Sequence, residues 1–200
     1  MQIKQLTQAS GSLWQSAMAI YCQVFPDWER EPIAELQQAI DSASSRCVVL
    51  CDDNQVYGVS ITELYPQQGF ALLGYLFIAP SHQGQGLGKL LCDELFQFIE
   101  QQTTQILLVE AESGPAKFYQ KLGFNAFDID YLSPHYDDID STPMALMYHA
   151  SHHDPHHCPT PSPKQIWHMI EHIFINSYYL TPTDPRLKQQ RSQILSKEDT

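Results

Sequence analysis

A glycine-rich turn is the part of the sequence whose residue types point most directly to chemistry. Gly84, Gly86 and Gly88 alternate with other residues where a helical pattern begins at Leu87. Glycine reaches backbone angles that a Cβ disfavours, and the first N–H groups of a helix have no partner within the helix. Because these groups and the helix dipole favour negative charge, we expect the turn to bind an anion such as pyrophosphate.

The glycine spacing excludes two common phosphate-binding motifs and resembles a third. It is neither the G-x-G-x-x-G of dinucleotide-binding folds nor a P-loop with Gly-Lys-Ser/Thr. It resembles the Gln/Arg-x-x-Gly-x-Gly/Ala turn of the Gcn5-related N-acetyltransferases (the GNAT superfamily), with Gln83, Gly86 and Gly88 in the matching places. Residues 116–124 resemble the family's F-Y-x-x-L-G-F signature and follow in the family's order. The sequence is therefore identified as a GNAT member of a bacterial-type branch over residues 1–150.

The resemblance implies a binding site for acetyl-CoA. In the family, the central strand pairs with pantetheine through its backbone, and the glycine turn holds the pyrophosphate. These roles fall here on Leu76, Phe77 and Ile78 for the strand, and on Gln83, Gly84, Gln85, Gly86, Leu87, Gly88 and Lys89 for the turn. The N–H of Ile78 would donate to the acetyl oxygen.

Tyr119 is the candidate catalytic acid. In the F-Y-x-x-L-G-F match it takes the place of the tyrosine that contacts the cofactor and gives a proton to the departing thiolate. A phenol suits this task because its ordinary pKa of about 10 lies above that of a thiol. The alternative is a core tyrosine whose hydroxyl is merely satisfied.

The sequence leaves several candidates for the base that takes the ammonium proton. We choose Glu110, which follows an apolar strand at the carboxyl end where open α/β sheets place ligands. Glu63, Tyr75 and ordered water are alternatives, and Glu110 could instead be a surface or acceptor-binding carboxylate. Glu112 departs from the family, which often has a cofactor-contacting asparagine there.

Two segments are candidates for binding the acceptor amine. In the family, a helix–loop–helix near the N-terminus covers the acceptor pocket, and the loop after the sixth strand rims it. The second segment contains Asp128, Asp130, Tyr131, His135 and Tyr136. The chosen acceptor-binding candidates are Trp28, Glu29, Arg30, Glu63, Tyr75 and Tyr131. Helix capping and surface pairing for the first loop, and an exposed hairpin for the second, are the alternatives.

The elements that position these residues follow the order β-α-α-β-β-β-α-β-α-β-β. Apolar runs and period-two alternation predict the strands, and apolar residues with helical spacing predict the helices. The strands are expected at Ile3–Leu6, Cys47–Cys51, Val56–Leu64, Leu72–Ile78, Gln105–Val109, Phe124–Leu132 and Met144–His149. The fold class is α/β (an α+β mixed sheet). The resemblance implies the GNAT fold, a mixed six- to seven-stranded sheet flanked by helices.

The composition changes after the expected acetyltransferase domain, residues 1–150. Residues 151–163 are a His/Pro-rich linker, and residues 164–200 carry helical patterns with an apolar stripe from Ile166 to Phe174. We expect this C-terminal helical extension to pack on the domain or on a partner.

Composition excludes several classes of protein. A net charge of −12 argues against a nucleic-acid partner, which needs clustered Lys and Arg, and permits attraction of cationic amines. No run has membrane-spanning length, and the N-terminus lacks a signal-peptide pattern. Five cysteines without scaffold spacing predict reduced thiols and a cytoplasmic location.

Two histidine patterns could bind metal, and we predict no metal at either. His168-x-x-Glu171-His172 satisfies H-x-x-E-H, but a peptidase of that class needs a larger scaffold and a third ligand. The cluster from His149 to Cys158 lies in a linker, and a flexible segment rarely presents preformed ligands.

The predicted function is direct transfer of an acetyl group from acetyl-CoA to a primary amine within a ternary complex. The acceptor is a small molecule or a peptide amine, with a small amine favoured. The alternative is a catalytically silent acyl-CoA-binding GNAT module that acts as a sensor or partner-docking protein. The sequence also leaves open whether the protein forms a homodimer.

Overall fold

The computed structural model describes residues 1–53, 55–102, 106–150 and 160–196, and the chain divides into two compact units at Val109/Glu110. The first unit contains β1 (Gln2–Leu6), α1 (Gly11–Val24), α2 (Ile33–Asp41), β2 (Ser45–Asp52), β3 (Gln55–Tyr65), β4 (Phe70–Ile78) and α3 (Leu87–Glu100). Strand β5 (Ile106–Ala111) begins in the first unit and ends in the second. The second unit continues with α4 (Ser113–Lys121), β6 (Asn125–Ala126), β7 (Tyr131–Pro134), β8 (Ser141–Ala150), α5 (Pro163–Asn176) and α6 (Pro185–Leu195).

The first unit is built on a mixed sheet in the order β1–β2–β3–β4–β5. Neighbours from β1 to β4 are antiparallel, whereas β5 runs parallel to β4 because helix α3 returns the chain between them. Counting both units, the described residues form eight strands and six α-helices. The predicted α/β fold class with a mixed sheet is confirmed.

Helices cover both faces of the first unit's sheet. Cys47 and Val49 pack in one apolar cluster with residues of α1 and α2, and Val48 and Leu50 pack in another with residues of α3. Successive strand residues point to opposite faces, so β2 must be apolar on both sides. This explains why it reads as an unbroken apolar run.

The described cysteines, Cys22, Cys47, Cys51 and Cys92, form no disulfide, as expected of reduced thiols. Burial raises the pKa of Cys47 and of Cys92 to about 12, so these two thiols stay protonated and pack as small apolar groups. Cys158 lies outside the described residues.

The predicted strand Phe124–Leu132 is wrong in one respect, because the structure divides it into β6 and β7. Strand β6 pairs with β8 near Met147 and β7 pairs with β8 near Met144, so residues 127–130 lie opposite only residues 145–146. The surplus residues must leave the ladder, and the two aspartates among them are poor strand formers.

The predicted C-terminal helical extension is present as α5 and α6. A capping box starts α5: Ser162 Oγ accepts from the Gln165 N–H, and Gln165 Oε1 accepts from the Ser162 N–H at 2.9 Å. Residues 151–159 of the predicted linker lie outside the described residues, so the boundaries at 150 and 163 stay predictions. Among the residues that the structure describes, no helix combines the length and the apolar character needed to cross a membrane.

Candidate active site

Strand β4 is paired differently on its two sides. Strand β3 pairs with it from Phe70 to Ile78, and Gly74 is an extra residue between the β4 positions Leu73 and Tyr75. Such a bulge bends the strand and increases its local twist. Pairing with β5 covers only Phe70 to Leu73. Within the described part of the first unit, Gly74 to Ile78 therefore presents one edge that has no strand partner.

Hydrogen bonds to β3 determine which backbone groups of β4 face that edge. The Ala79 N–H donates to the Tyr57 carbonyl at 2.8 Å, and opposite residues of antiparallel strands alternate between bonded and non-bonded pairs. Continuing this register, Phe77 bonds to β3, whereas the N–H and C=O groups of Leu76 and Ile78 point to the other edge. Of the three predicted backbone contacts, these two have the orientation to pair with an extended ligand.

The glycine turn joins β4 to α3 with backbone angles that favour glycine. Gly84 has φ 74° and Gly86, the N-cap of α3, has φ 80°. A Cβ at either position would meet nothing within 4 Å, so the angles and not crowding within the chain require glycine. Gln83 Nε2 donates to the Ile78 carbonyl at 3.2 Å and ties the turn to the end of β4. No described side chain caps α3, so its first N–H groups can receive an anion.

Lys89 in the first turn of α3 is the predicted cation of this site. Its Nζ lies 2.8 and 2.6 Å from the two carboxylate oxygens of Asp93. Both side chains are exposed, and an exposed pair of this kind contributes little stability, so a phosphate group can displace it at small cost.

Tyr75 is a buried residue that holds the loop before α2. Its hydroxyl accepts from the Glu31 N–H at 2.9 Å and donates to the Glu29 carbonyl at 3.0 Å. Its ring packs edge-on against Tyr21 and Phe25. Burial raises the pKa of Tyr75 well above its usual value, so the phenol stays protonated. This environment favours a positioning role for Tyr75 over the role of base.

The loop that Tyr75 holds contains the other first-unit acceptor candidates. Trp28, Glu29 and Arg30 are half-buried around a 3-10 turn, Asp27–Glu29. Arg30 pairs with Asp27, and its Nη1 donates to the Cys22 carbonyl at 3.3 Å. Arg30 therefore closes the loop onto α1.

Glu63 lies beside the bulge of β4. A Cβ placed on Gly74 would be 3.2 Å from Glu63 Oε1, and the Tyr65 hydroxyl donates to Glu63 Oε2. The structure therefore brings this acceptor candidate to the point where the pairing of β4 with β5 stops.

Tyr119, in the second unit, is buried, with 6% of its surface exposed. Its ring packs edge-on against Phe118 and Phe124, with centroid distances of 5.1 and 5.4 Å. Gly123 turns the chain with φ 91°, so that the Phe124 N–H donates to the Tyr119 carbonyl at 3.1 Å. The F-Y-x-x-L-G-F spacing thus has a structural reason, since the turn places Phe124 over Tyr119. Glu112, the departure from the family pattern, is exposed at the N-cap of α4.

The Glu110 carboxylate is surrounded by three hydroxyl groups. We call the carboxylate and these hydroxyls the hydroxyl cluster, which consists of Glu110, Tyr131, Ser133 and Tyr178. The Tyr131 hydroxyl donates to Oε1, and the Tyr178 hydroxyl donates to Oε2 at 2.7 Å. Ser133 Oγ lies 3.5 Å from Oε1 and 2.7 Å from the Tyr178 hydroxyl. Burial and the neighbouring Glu110 charge raise the pKa of Tyr131 well above its usual value, so this phenol remains a donor.

Sequence reasoning selected two members of the hydroxyl cluster and missed the other two. Ser133 is two residues after Tyr131 on β7, so period-two alternation could have placed both on one face. Tyr178 follows α5, 68 positions after Glu110, and no local pattern links them.

A cavity of about 510 Å³ lies in the second unit, and Tyr131 belongs to both its lining and the hydroxyl cluster. The lining consists of Ser113, Phe127, Ile129, Asp130, Tyr131, Leu132, Pro143, Met144 and Ala145. It is mostly apolar with one carboxylate, from Asp130, so it suits a ligand with an apolar body and a positive charge.

One group of side chains among the described residues has metal-ligand spacing, formed by His135, Asp137 and Asp138. His135 Nδ1 lies 3.0 Å from an Asp138 oxygen, and Nε2 lies 2.8 Å from Thr142 Oγ1. These contacts hold the imidazole within the β7–β8 hairpin, and the two carboxylates are exposed. His168 and His172 of the H-x-x-E-H pattern lie outside this group, and the four histidines of the linker lie outside the described residues.

The class of protein follows from the central strand and the turn. A mixed sheet whose bulged central strand is paired on one side and leads into a glycine turn at a helix N-terminus is the arrangement of the GNAT fold. Residues 43–126 match the family model described as an acetyltransferase (GNAT) domain. The resemblance is therefore confirmed for residues 43–126, the part of the chain that the family model matches.

Relatives of known structure or function agree with this assignment. The chain is 38% identical over 82 residues to the [ribosomal protein bS18]-alanine N-acetyltransferase of Haemophilus influenzae, a match that covers 40% of this chain and 55% of that relative. A GNAT-family structure from Bacteroides thetaiotaomicron matches 90% of this chain and all of its own, with a TM-score of 0.73 and 19% identity. An aminoglycoside 6'-N-acetyltransferase complexed with coenzyme A matches 81% of this chain and all of its own, with a TM-score of 0.62 and 15% identity. The chain thus spans about half of the curated relative, and the two structures support the fold.

Proposed function

We propose that this protein is an N-acetyltransferase that moves an acetyl group from acetyl-CoA to a primary amine within a ternary complex. The observation that carries the proposal is that the second half of β4 pairs with a strand on one side only and leads to the Gln83–Gly88 turn. This segment lies inside the matched GNAT domain, residues 43–126. A backbone edge pairs with an amide-containing chain, and a glycine turn at a helix N-terminus binds phosphate, which are the two parts of coenzyme A to be held.

The residues present fit acetyl-CoA, which supplies an activated thioester when bound. Leu76 and Ile78 offer the backbone groups that face the free edge, and the Ile78 N–H would polarise the acetyl carbonyl. The turn and Lys89 would hold the pyrophosphate. A Cβ at Gly84 or Gly86 is not crowded by the chain, so the space over the turn is open to a ligand.

Tyr119 and Glu110 have complementary proposed roles. As the C–S bond breaks, the Tyr119 hydroxyl would give its proton to the thiolate. Glu110 would hold the ammonium of the acceptor and take its proton through a water, so that the free amine attacks the carbonyl. The Tyr131 and Tyr178 hydroxyls donate to the two Glu110 oxygens and hold in place the carboxylate that would bind the ammonium.

The proposed acceptor is a small primary amine with an apolar body. The mostly apolar cavity with Asp130 and the net charge of −12 support this choice. The Haemophilus relative is named for the alanine of a ribosomal protein, so an N-terminal alanine is the second acceptor to test.

The test combines calorimetric titration with acetyl-CoA and an assay of thiol release. Both are run on the wild-type chain with a panel of apolar amines and a peptide that begins with alanine. We expect Tyr119→Phe to lower kcat by about a hundredfold while acetyl-CoA affinity stays the same, because only proton donation is lost. Tyr148→Phe, in the same unit with its ring stacked on Phe127, is the matched control and should behave as wild type.

Two results would contradict the proposal. A folded wild-type protein that does not bind acetyl-CoA excludes the cofactor site. Binding without thiol release in the presence of any acceptor points instead to the catalytically silent module.

A further inference from the structure

The C-terminal extension contributes a side chain to the candidate base. The Tyr178 hydroxyl donates to Glu110 Oε2 at 2.7 Å and lies 2.7 Å from Ser133 Oγ. Tyr178 has one proton to donate, so Ser133 must be the donor in the second contact. Tyr178 thus sits in a short chain of hydrogen bonds that ends on the Glu110 carboxylate.

The segment that carries Tyr178 is held firmly in the second unit. Its ring stacks on Tyr136 with centroids 4.8 Å apart and meets Phe174 edge-on. The Tyr178 N–H donates to the Ile173 carbonyl at 3.2 Å, and Tyr179 takes a left-handed conformation with φ 57°. A non-glycine residue in this region carries strain, which persists only where the surroundings impose it.

A second part of the extension supports the same cluster. The Gln190 side chain of α6 is 1% exposed, and its Oε1 accepts from the Leu132 N–H at 2.9 Å. Its Nε2 donates to the Asp130 carbonyl at 3.0 Å. The two contacts lie on either side of Tyr131, the other phenol that donates to Glu110. The extension therefore reaches the hydroxyl cluster at two points.

We propose that the C-terminal extension completes the amine end of the active site, with Tyr178 as the positioning residue that fixes the Glu110 carboxylate. This inference rests on the proposed function. Because Tyr131 donates to Oε1 and Tyr178 donates to Oε2, the carboxylate is held in one orientation. The extension is then part of the site and not an appended docking element.

The test uses Tyr178→Phe, with Tyr179→Phe as the matched control. Tyr179 is the adjacent tyrosine, and 47% of its surface is exposed. For each variant of the full chain we would measure thiol release against amine concentration at saturating acetyl-CoA over a pH series, acetyl-CoA affinity by calorimetry, and Tm.

We expect Tyr178→Phe to lower kcat/KM for the amine about tenfold, the size of a lost hydrogen bond to a charged group. Acetyl-CoA affinity should stay within twofold of wild type. The acidic limb of the kcat/KM profile should move to higher pH, because Glu110 loses the Tyr178 donor to its ionised form and keeps the Tyr131 donor. Tyr179→Phe should match wild type. Equal kinetics and equal pH profiles for the two variants would overturn the proposal, as would a loss of rate that tracks only a lower Tm.

An activity-independent measurement separates this inference from the proposed function. The Glu110 carboxyl carbon, assigned by its loss in Glu110→Gln, is titrated by ¹³C NMR in wild type and in both tyrosine variants. A midpoint that moves to higher pH only in Tyr178→Phe supports the positioning role even if no acceptor is turned over, in which case only the assignment to the amine end falls. An unchanged midpoint overturns the positioning role whatever the activity.

Discussion

The two units contribute different kinds of candidate site, one built from backbone and one from side chains. In the first unit, the edge of β4 and the Gln83–Gly88 turn offer N–H and C=O groups whose directions are set by strand register and glycine φ angles. In the second unit, the hydroxyl cluster depends on side chains that come from β5, β7 and the segment after α5. Side chains around the first site hold the backbone in place, as Tyr75 does.

This difference explains the division of labour that the proposed function requires. Coenzyme A has the same amides and phosphates in every reaction, and backbone groups recognise these parts whatever side chains surround them. The acceptor varies between enzymes, and side chains brought together from distant segments can change without disturbing the sheet. We therefore expect changes in the two regions to affect different ligands.

The largest expected effect is loss of cofactor binding by Gly86→Glu. Glutamate at this position adds a negative charge at the proposed pyrophosphate site and strains a residue with φ 80°. We expect acetyl-CoA affinity, measured by calorimetry, to fall by more than a hundredfold.

The control for this variant is Gly11→Glu, at the start of α1, where φ is also 80° and a Cβ would likewise meet nothing within 4 Å. It carries the same backbone strain and added charge away from the turn, so acetyl-CoA affinity should be unchanged. Equal losses in the two variants would mean that destabilisation, and not the turn, explains the effect.

A smaller effect is expected for Tyr75→Phe. This variant tests whether the Tyr75 side chain stabilises the fold of the first unit and does not bind the cofactor. Its hydroxyl bonds the main chain at Glu29 and Glu31, and removal leaves two polar groups without that partner. We expect the free energy of unfolding to fall by about 2 kcal/mol in denaturant titrations, with acetyl-CoA affinity unchanged. If Tyr75→Phe abolished cofactor binding at full stability, the contrast between the two regions would fail.

The smallest effect is expected for Ala43→Gly. This variant tests the cost in stability of a positive φ angle at a residue away from both candidate sites. Ala43 is exposed after α2 with φ 60°, a conformation that glycine adopts without a Cβ clash. We expect the free energy of unfolding to rise by roughly 0.5–1 kcal/mol with no change in acetyl-CoA affinity. Ala39→Gly, inside α2, is the opposite control and should destabilise by about 1 kcal/mol.

How much the sequence predicts also differs between the two regions. The β4 edge and the glycine turn occupy one continuous stretch, so a local motif predicts both the strand and the turn. The hydroxyl cluster joins Glu110 to Tyr178 through packing of α5 and α6, and such long-range contacts leave no local pattern. The division of Phe124–Leu132 into β6 and β7 was missed for a similar reason, because the surplus of residues becomes visible only against its partner β8.

The central claim, that backbone groups of the first unit hold acetyl-CoA, is tested most directly by amide hydrogen exchange followed residue by residue with NMR. The account predicts that saturating acetyl-CoA slows exchange at Leu76, at Ile78 and in the first turn of α3. Exchange at Phe77, which already bonds to β3, should not change. Uniform protection of all of β4, or none at Leu76 and Ile78 when calorimetry shows binding, would contradict the claim.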